Sequence, residues 1–265
     1  MQLALGATTR PWNQWSFEEA CGAIAAAGYT DVAPFAHGGK IPLTSESTPE
    51  EIAAVRKVVD AAGLKPSMLI THMRLSDPLE DAIADYRKTI DVAAAAGITW
   101  AMNCGCSQPE LYEKYNALFR ACAPYAAAKG VRLVMKPHGG NGLTGQLMRA
   151  VVEAVDHPNF SICYDPGNII YYTKGEQRPE TDVHAIKEHV SICIIKDCVV
   201  VDGKPDVNIL PGTGWVKFDS VLGSLAEAGF RGPLYVECLG GTTWDDINSR
   251  ARKTYEYIAD IVARL

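Results

Sequence analysis

Residues 129–138 read KGVRLVMKPH, and this stretch contains the pattern from which the fold can be predicted. Gly130 follows an alanine-rich segment and is typical of the left-handed turn that ends a helix. The apolar residues 133–135 then have the composition of a strand buried in a parallel sheet. Lys136 follows directly, and a charge in that position is costly to bury unless it is paired or used. One short segment therefore contains a helix end, a buried strand and a charged strand end.

The same pattern of an apolar run with a polar end occurs three more times in the second half of the chain. Residues 162–164 precede Asp165, residues 192–195 precede the pair 196–197 (KD), and residues 234–236 precede Glu237. If the four strands lie side by side, two lysines and three carboxylates converge at one edge of the sheet. This convergence predicts an active site at the carboxyl ends of the strands.

Glycines mark the end of one unit and the start of the next along the whole chain. Gly28, Gly63, Gly97 and Gly130 each close a helical pattern and precede an apolar run, as does Gly229 later in the chain. The first four recur at intervals of about 34 residues, which is the length of one strand, one loop and one helix. The repeat therefore indicates successive βα units.

We predict eight strands and eight helices, in alternation. The strands are expected near residues 3–8, 30–35, 66–71, 98–104, 131–136, 160–165, 190–196 and 233–238, and the helices near 16–27, 49–62, 78–96, 109–129, 144–155, 181–188, 217–228 and 243–263. Residues 16–19 and 48–51 are capping boxes, which supports two of the helix starts. Residues 169–179 are expected to form a loop over the strand ends.

Eight alternating βα units favour a closed (β/α)8 TIM barrel, in a single domain that covers residues 1–265, with its active site at the C-terminal ends of the strands. A doubly wound open sheet is the alternative. No Gly-x-Gly-x-x-Gly motif follows the first strand, which counts against a dinucleotide-binding fold of that kind.

Composition excludes several classes of function. The 265 residues carry a net charge of −6 and no cluster of Lys and Arg, which argues against a nucleic-acid partner. The N-terminus lacks the pattern of a signal peptide, and no apolar run has membrane-spanning length. We therefore expect a cytoplasmic protein without a membrane partner, and we expect its eight cysteines to be reduced thiols.

The strand ends resemble the motifs of the xylose-isomerase-like sugar isomerase and epimerase family of TIM barrels. Residues 136–138 (KPH) resemble the Glu-Pro-His that ends the fifth strand of the family, and residues 165–168 (DPGN) resemble its Asp-x-Gly-His after the sixth. Residues 194–197 (IIKD) resemble its His-x-Lys-Asp on the seventh strand, residues 211–215 (PGTGW) its Pro-Gly-x-Gly loop, and Glu237 its glutamate on the eighth. The resemblance covers essentially the whole chain.

The resemblance also reveals a departure at the metal site. In the family a divalent metal is held by Glu, Asp, His and Glu, and the corresponding residues of this chain are Lys136, Asp165, Ile194 and Glu237. A protonated lysine repels a metal, and isoleucine has no donor atom. We therefore expect no cofactor. If a metal does bind, Asp165 and Glu237 are its ligands.

Three residues are candidates for catalysis. Glu237 is expected to move the proton next to a substrate carbonyl, because the family uses that position in proton transfer. Lys136 is expected to stabilise an oxyanion in place of the metal, with Asp165 orienting it. If burial depresses its pKa, Lys136 could instead act as a base or as a Schiff-base nucleophile. It could also be only a buried ion pair with one of the carboxylates.

Six further residues are candidates for substrate binding. His138 and Asn168 would bind hydroxyl groups, and Lys196 either binds substrate or forms an ion pair with Asp197. His72 and Asn103 follow the third and fourth strands, and Trp215 in a mouth loop would stack on a sugar or bury a subunit contact.

These features predict an enzyme that acts on a keto-sugar or sugar-acid derivative through an enediolate or enolate, with isomerisation or epimerisation as the outcome. A lyase that decarboxylates or dehydrates a β-keto acid on the same scaffold is the first alternative, because such a reaction needs no second base. A non-catalytic sugar-binding protein is the second. The partner is a small carbohydrate, and the family resemblance implies a homo-oligomer.

Overall fold

The barrel consists of parallel strands whose sheet closes on itself. The computed structural model describes residues 3–37 and 42–265. The barrel strands are β1 (Leu5–Thr8), β2 (Asp31–Ala33), β3 (Lys65–Pro66), β4 (Met68–Ile70), β5 (Trp100–Asn103), β6 (Arg132–Met135), β7 (Phe160–Tyr164), β8 (Val190–Ile195) and β11 (Leu234–Val236). Between β8 and β11, the strands β9 (Val199–Val201) and β10 (Lys204–Asp206) form a separate antiparallel hairpin. Their order is β3-β2-β1-β11-β8-β7-β6-β5-β4.

Closure takes place at Ser67, which separates β3 from β4. The N–H of Ser67 donates to the carbonyl of Val32 in β2, and the Ser67 carbonyl accepts the N–H of Trp100 in β5. The segments β3 and β4 are therefore two halves of one strand that pairs with β2 on one side and β5 on the other. The predicted TIM barrel is confirmed, and the open-sheet alternative is wrong.

The helices surround the barrel, and five of the nine given below begin with a side-chain cap, at Ser16, Thr48, Thr144, Asp165 and Thr243. They are α1 (Phe17–Ala26), α2 (Pro49–Ala61), α3 (Leu79–Ala95), α4 (Tyr112–Ala128), α5 (Gly145–Val155), α6 (Pro166–Thr173), α7 (Pro179–Asp182), α8 (Phe218–Glu227) and α9 (Trp244–Ala263). Both predicted capping boxes form, at Ser16 and at Thr48. None of these helices combines the length and apolar character needed to cross a lipid bilayer.

The segment after β7 differs from the prediction. Residues 169–179 were expected to form a loop, but the first five of them belong to α6, because the carboxylate of Asp165 accepts the N–H of Asn168 and Pro166 occupies the first helical position. The helix expected at 181–188 is replaced by the single turn α7 and two 3-10 turns. There Asp182 accepts the N–H of Gly145 and the hydroxyl of Tyr164, which ties this segment to its neighbours instead of to its own helix.

The alternation of side chains along each strand directs the charged strand ends into the barrel. One apolar cluster includes Val134, Cys163, Ile194 and Tyr235, one residue from each of β6, β7, β8 and β11. Successive side chains of a strand point to opposite faces. The residue two positions after each of these therefore points to the same side, at the mouth of the barrel, and these four residues are Lys136, Asp165, Lys196 and Glu237.

The eight cysteines all lie in the described residues and all carry free thiols. Seven of them are buried, and Cys104 is half-buried at the end of β5. Burial raises the pKa of Cys104 and of Cys238. The expectation of reduced cysteines is therefore consistent with their positions in the core.

Candidate active site

Four charged side chains meet at the mouth of the barrel and form what we term the charged cluster: Lys136, Asp165, Lys196 and Glu237. Nζ of Lys136 lies 2.6 Å from Oε2 of Glu237 and 3.7 Å from Oδ2 of Asp165. Nζ of Lys196 lies 2.8 Å from Oδ2 of Asp165 and 3.0 Å from Oε1 of Glu237. Each side chain is at most 4% exposed. The structure therefore brings together four of the five charged residues that the strand ends predicted to converge, and Asp197 is not among them.

The two lysines of the cluster differ in how many of their donors are in use. Lys196 donates to Oδ2 of Asp165 at 2.8 Å and to Oδ1 of Asn168 at 3.1 Å, and its Nζ also forms an ion pair with Oε1 of Glu237 at 3.0 Å. Lys136 makes one hydrogen bond within the described residues, to Glu237. An ammonium group has three donors. Lys136 is therefore the lysine with donors left for a substrate.

Arg10 is a fifth charged residue, which the sequence analysis did not select. Its Nη1 lies 3.4 Å from Oε1 of Glu237 and 2.6 Å from Sγ of Cys238, and its side chain is 37% exposed. Arg10 follows the end of β1. A charged residue near a strand end is the pattern that identified the other four residues, and it could have identified Arg10 too. With Arg10 the site contains three cations and two carboxylates, which leaves a net positive charge facing the mouth.

The electrostatics of the cluster fix the protonation of its central pair. Burial lowers the pKa of Lys136, but the neighbouring charges of Glu237 and Asp165 and the hydrogen bond to Glu237 together contribute to raising that pKa well above its ordinary value. Burial would raise the pKa of Glu237, but Lys136 and Lys196 hold it far below its usual range. Lys136 is therefore a cation at neutral pH, which disfavours the base and Schiff-base roles. Glu237 is fully ionised and is a weak base.

His138 lies beside the charged cluster and is paired with a tyrosine of α6. Its Nε2 is 2.7 Å from the hydroxyl oxygen of Tyr172, and the two ring centroids are 4.7 Å apart. Burial lowers the pKa of His138, and Lys136 and Lys196 lower it further. Burial raises the pKa of Tyr172 to about 12. His138 is therefore neutral at pH 7 and able to accept a proton.

A cavity of about 550 Å³ opens next to the cluster at the ends of β2, β4 and β5. It is lined by Pro34, Phe35, Ala36, Ile70, Thr71, His72, Met73, Cys104, Gly105, Ser107 and His138. His138 follows Lys136 by two residues after β6, and the backbone N–H of Lys136 donates to the carbonyl of Asn103, the residue before Cys104, at 2.8 Å. The cavity and the cluster therefore adjoin each other. Of the predicted binding residues, His72 and His138 line this cavity.

Two predicted hydroxyl-binding asparagines have their amide groups engaged inside the protein. Asn168 donates to the carbonyl of Pro137 at 2.7 Å and accepts from Lys196. Asn103 donates to the carbonyl of Val134 and accepts from the hydroxyl of Tyr115 at 2.7 Å. Both side chains are buried. These contacts fit a role in holding the strand ends, and substrate binding by either residue stays a prediction.

Trp215 and Asp197 belong to the segment that follows β8. Trp215 is half-exposed and packs under the guanidinium of Arg178, 5.3 Å from its ring centroid, and it is not part of the cavity lining described above. The alternative that Lys196 pairs with Asp197 is wrong. The carboxylate of Asp197 is occupied by four backbone N–H groups, those of Cys198, Gly212, Gly214 and Val216.

A family model described as xylose isomerase-like TIM barrel matches residues 21–261 of this chain. The chain belongs to that family. Its fold is similar to a xylose isomerase-like TIM barrel protein from Mycobacterium smegmatis solved in complex with magnesium, with a TM-score of 0.78 and 17% identity over 98% of both chains.

Two further solved structures share the fold of this family member. One is a D-allulose 3-epimerase from Methylomonas sp., with a TM-score of 0.76 and 20% identity over 98% of both chains. The other is a xylose isomerase domain protein from Planctomyces limnophilus, with a TM-score of 0.74 and 19% identity over 98% of this chain and 96% of that chain. No curated protein matches the sequence. At these identities the likeness concerns the fold.

The donor set of this xylose isomerase-like barrel does not fit the metal that the family motif implies. The ammonium of Lys136 contacts both carboxylates, and Lys196 contacts them too, so the oxygens that would bind a cation face two cations. Ile194, at the position of the histidine ligand, is buried among apolar side chains. In residues 3–37 and 42–265 no group of three or more His, Cys, Asp and Glu side chains is arranged to hold a metal ion.

Proposed function

We propose that this protein is a sugar isomerase- or epimerase-like enzyme whose substrate is an anionic keto-sugar, a sugar acid or a sugar phosphate. Membership of the family supports the reaction class, as does the shared fold with a protein described as a D-allulose 3-epimerase. One observation carries the proposal: the buried ammonium of Lys136 is cationic and has unused donors at the position where the family motif has a metal ligand.

Lys136 would stabilise the oxyanion of the reaction. Removal of a proton next to a carbonyl leaves negative charge on the carbonyl oxygen, and a fixed cation in a water-poor site stabilises that charge strongly. The side chain of Lys136 is 3% exposed and is held in place by Glu237. It therefore needs little reorganisation when the charge develops.

Arg10 would bind the anionic group of the substrate. A guanidinium group binds carboxylates and phosphates through paired donors. Arg10 is the most exposed of the three cations of the site, and the two carboxylates balance only two of the three. An anionic substrate group would restore neutrality, which favours a sugar acid or phosphate over a neutral keto-sugar.

His138 would transfer the proton. In the tautomer in which Nε2 donates to Tyr172, Nδ1 is unprotonated and can take the proton from the carbon next to the carbonyl. The electron pair of the broken C–H bond moves to the carbonyl oxygen, which Lys136 stabilises. In an isomerisation, His138 then returns the proton to the other carbon of the enediolate. The hydroxyl proton of the first carbon passes to the oxyanion beside Lys136, so that the new carbonyl forms at the first carbon.

Glu237 receives a different role from the one that the family position suggests. Both of its oxygens contact ammonium groups, and its pKa lies far below the usual range. A carboxylate in that state is a poor base near pH 7. We therefore assign to Glu237 the positioning of Lys136 and Lys196, and to His138 the proton transfer.

A lyase that decarboxylates a β-keto acid is the second candidate. The weak basicity of Glu237 favours it, because decarboxylation creates an enolate without a base. The position of Arg10 counts against it, since a guanidinium on the carboxylate stabilises the charge that must leave that group. Proton transfer therefore remains the preferred reaction.

The test uses three ketoses that share a six-carbon skeleton and differ in charge: D-fructose, D-fructose 6-phosphate and D-fructuronate. Each is incubated with the enzyme in D2O, and NMR follows deuterium at the carbon next to the carbonyl. In parallel, CO2 release is measured with a β-keto sugar acid, 3-keto-L-gulonate. We expect exchange with an anionic member of the set and a loss of at least 100-fold in Lys136→Met and His138→Gln.

Arg178→Met is the matched control for Arg10→Met, because the two arginine side chains are equally exposed. We expect Arg10→Met to raise KM for the anionic ketoses and Arg178→Met to leave it unchanged. Stoichiometric CO2 from 3-keto-L-gulonate without exchange in any of the three ketoses would replace the proposal by the lyase. Binding of all three ketoses with neither exchange nor CO2 would replace it by a sugar-binding protein.

A further inference from the structure

The mouth of the barrel is divided into a charged half and an apolar half. The charged half lies at the ends of β6, β7, β8, β11 and β1, which are neighbours in the barrel. The other half lies at the ends of β2, β4 and β5, and there the cavity of about 550 Å³ is located. We call this cavity, with the lining residues given above, the apolar pocket.

The apolar pocket offers few partners to hydroxyl groups. Its lining includes Phe35, Ile70, Met73 and Cys104, and its polar side chains besides Thr71 are His72, Ser107 and His138. The hydroxyl of Thr71 is already engaged, by Tyr86 and by the carbonyl of Met102. A sugar hydroxyl that is buried without a partner costs about 1–3 kcal/mol. A polyhydroxylated chain would therefore leave the hydroxyl groups that face Phe35, Ile70 and Met73 without a partner.

The pocket and the charged cluster are close enough to receive parts of one molecule. Cys104 and His138 line the pocket. Lys136 of the cluster lies two residues before His138, and its backbone N–H donates to the carbonyl of Asn103, the residue before Cys104. A cavity of this size is within the range of pockets that enclose small ligands. A substrate whose carbonyl lies on Lys136 therefore has a part of its chain within the apolar pocket.

We infer that the substrate of this enzyme is amphiphilic, with an anionic carbonyl head on the charged cluster and Arg10 and an apolar substituent of several carbons in the apolar pocket. This inference rests on the proposed function for the position of the head. The inference narrows the substrate class from sugar acids in general to a subset of them. In this subset, the section of the chain remote from the anionic head is deoxygenated or carries an alkyl or aryl group.

Two six-carbon acids with the same head provide the central comparison. 2-Oxohexanoate and 2-ketogluconate share the α-keto acid group and the chain length, and they differ in whether the chain carries hydroxyl groups. We expect 2-oxohexanoate to bind at least tenfold more tightly in calorimetric titration. Across pyruvate, 2-oxobutanoate, 2-oxopentanoate and 2-oxohexanoate we expect about a fourfold gain for each buried methylene.

A variant that fills the pocket tests its location. Ala36 is half-buried in the pocket wall. Ala36→Phe is expected to abolish the increase in affinity with chain length and to leave the affinity for the shortest acids unchanged. Ala128→Phe, at an exposed position in α4, is the matched control and should leave the whole series unchanged. Met73→Gln provides a second variant, with a smaller loss, in case Ala36→Phe does not fold.

The outcomes separate this inference from the proposed function. Tighter binding of 2-ketogluconate than of 2-oxohexanoate, or a chain-length gain that persists in Ala36→Phe, would overturn the inference and leave the anionic head site intact. Arg10→Met should weaken every acid in the series by the same factor. If no acid binds to the wild-type protein, or if Arg10→Met has no effect on any of them, the proposed head site itself is wrong.

Discussion

Nζ of Lys136 lies 2.6 Å from Oε2 of Glu237, and both side chains are buried. The same carboxylate also contacts Lys196 and Arg10 through its other oxygen. Glu237 is therefore the anion on which three cations depend, whereas Asp165 contacts the two lysines only. We therefore expect Glu237 to contribute more than Lys136 to the free energy of unfolding.

We predict that Glu237→Gln destabilises the protein more than Lys136→Met. Without the charge of Glu237, three cations share the single carboxylate of Asp165, and breaking a buried pair in this way costs about 3–5 kcal/mol. Lys136→Met leaves two cations with two carboxylates, so we expect a loss of about 1 kcal/mol. Urea unfolding monitored by circular dichroism measures both. Equal losses would contradict the charge count.

An exposed ion pair provides the control for this comparison. Lys129 and Asp91 form a pair at 2.8 Å with both side chains more than 40% exposed. Lys129→Met is expected to change the free energy of unfolding by at most about 0.5 kcal/mol, because exposed pairs contribute little.

The depressed pKa of Glu237 predicts a specific dependence of stability on pH. A carboxylate whose pKa is lower in the folded protein binds protons more readily in the unfolded chain. Its stabilisation is therefore complete above its ordinary pKa of 4.5 and is lost as the pH falls below that value. Unfolding free energies measured from pH 3 to 7 should fall at the acid end, and less steeply in Glu237→Gln. Parallel curves for the two proteins would refute this assignment.

The metal-ligand positions can be restored by two substitutions. Lys136→Glu with Ile194→His recreates the ligand types of the family motif beside Asp165 and Glu237. We expect 1 mM Mn²⁺ to raise the Tm of the double variant by several degrees, by mass action on the folded state. The wild type and each single variant should show no such shift. A shift of comparable size in the wild type, or loss of its activity with a chelator, would contradict the poor fit of the donor set.

The sequence was sufficient to predict the barrel and the charged cluster because both depend on short-range patterns. Apolar runs with charged ends, spaced by helix-ending glycines, specify strands, their direction and therefore which ends meet. The alternation of side chains then places Lys136, Asp165, Lys196 and Glu237 on one side. None of this requires knowledge of contacts between distant residues.

The features that the sequence did not predict depend on tertiary contacts. Helix α6 was expected to be a loop because its capping residue, Asp165, was assigned only to the active site, and one carboxylate does both. The weak basicity of Glu237 follows from two ammonium groups brought together by three strands. The role of Arg10 follows from its distance to Glu237, which the pattern of the first strand alone does not reveal.

If His138 transfers the proton, the rate depends on pH in a defined direction. The base is the neutral imidazole, and the pKa of His138 lies below its ordinary value of 6.5. We therefore expect kcat to be constant near pH 7 and to fall as the pH drops through a pKa below 6.5. Tyr172→Phe should lower kcat and shift this limb without a change in KM, because it removes the hydrogen bond to Nε2.

Tyr171→Phe is the matched control for Tyr172→Phe, since Tyr171 is the neighbouring ring, with centroids 5.1 Å apart. It should leave both kcat and its pH profile unchanged. A pH profile that persists in His138→Gln would assign the proton transfer to another group.

Asp197 determines the conformation of residues 198–216. Its Oδ1 accepts the N–H groups of Cys198 and Val216 at 2.8 and 3.0 Å, and its Oδ2 accepts those of Gly212 and Gly214 at 2.9 and 2.7 Å. An asparagine offers one oxygen and an NH2 group that cannot accept. Asp197→Asn therefore leaves at least two N–H groups without an acceptor, at a cost of about 1–3 kcal/mol each.

We expect Asp197→Asn to lower the free energy of unfolding and to speed hydrogen exchange within residues 198–216, while β6 and its neighbours keep their protection. Asp202→Asn is the control, because Asp202 is exposed in the turn of the hairpin at φ 50, a conformation that asparagine tolerates. If Asp197→Asn leaves hydrogen exchange in residues 198–216 unchanged, side-chain packing, and not the hydrogen bonds to Asp197, fixes the conformation of these residues. Faster exchange would instead show that two residues adjacent in sequence have separate roles, Lys196 in the charged cluster and Asp197 in fixing the conformation of residues 198–216.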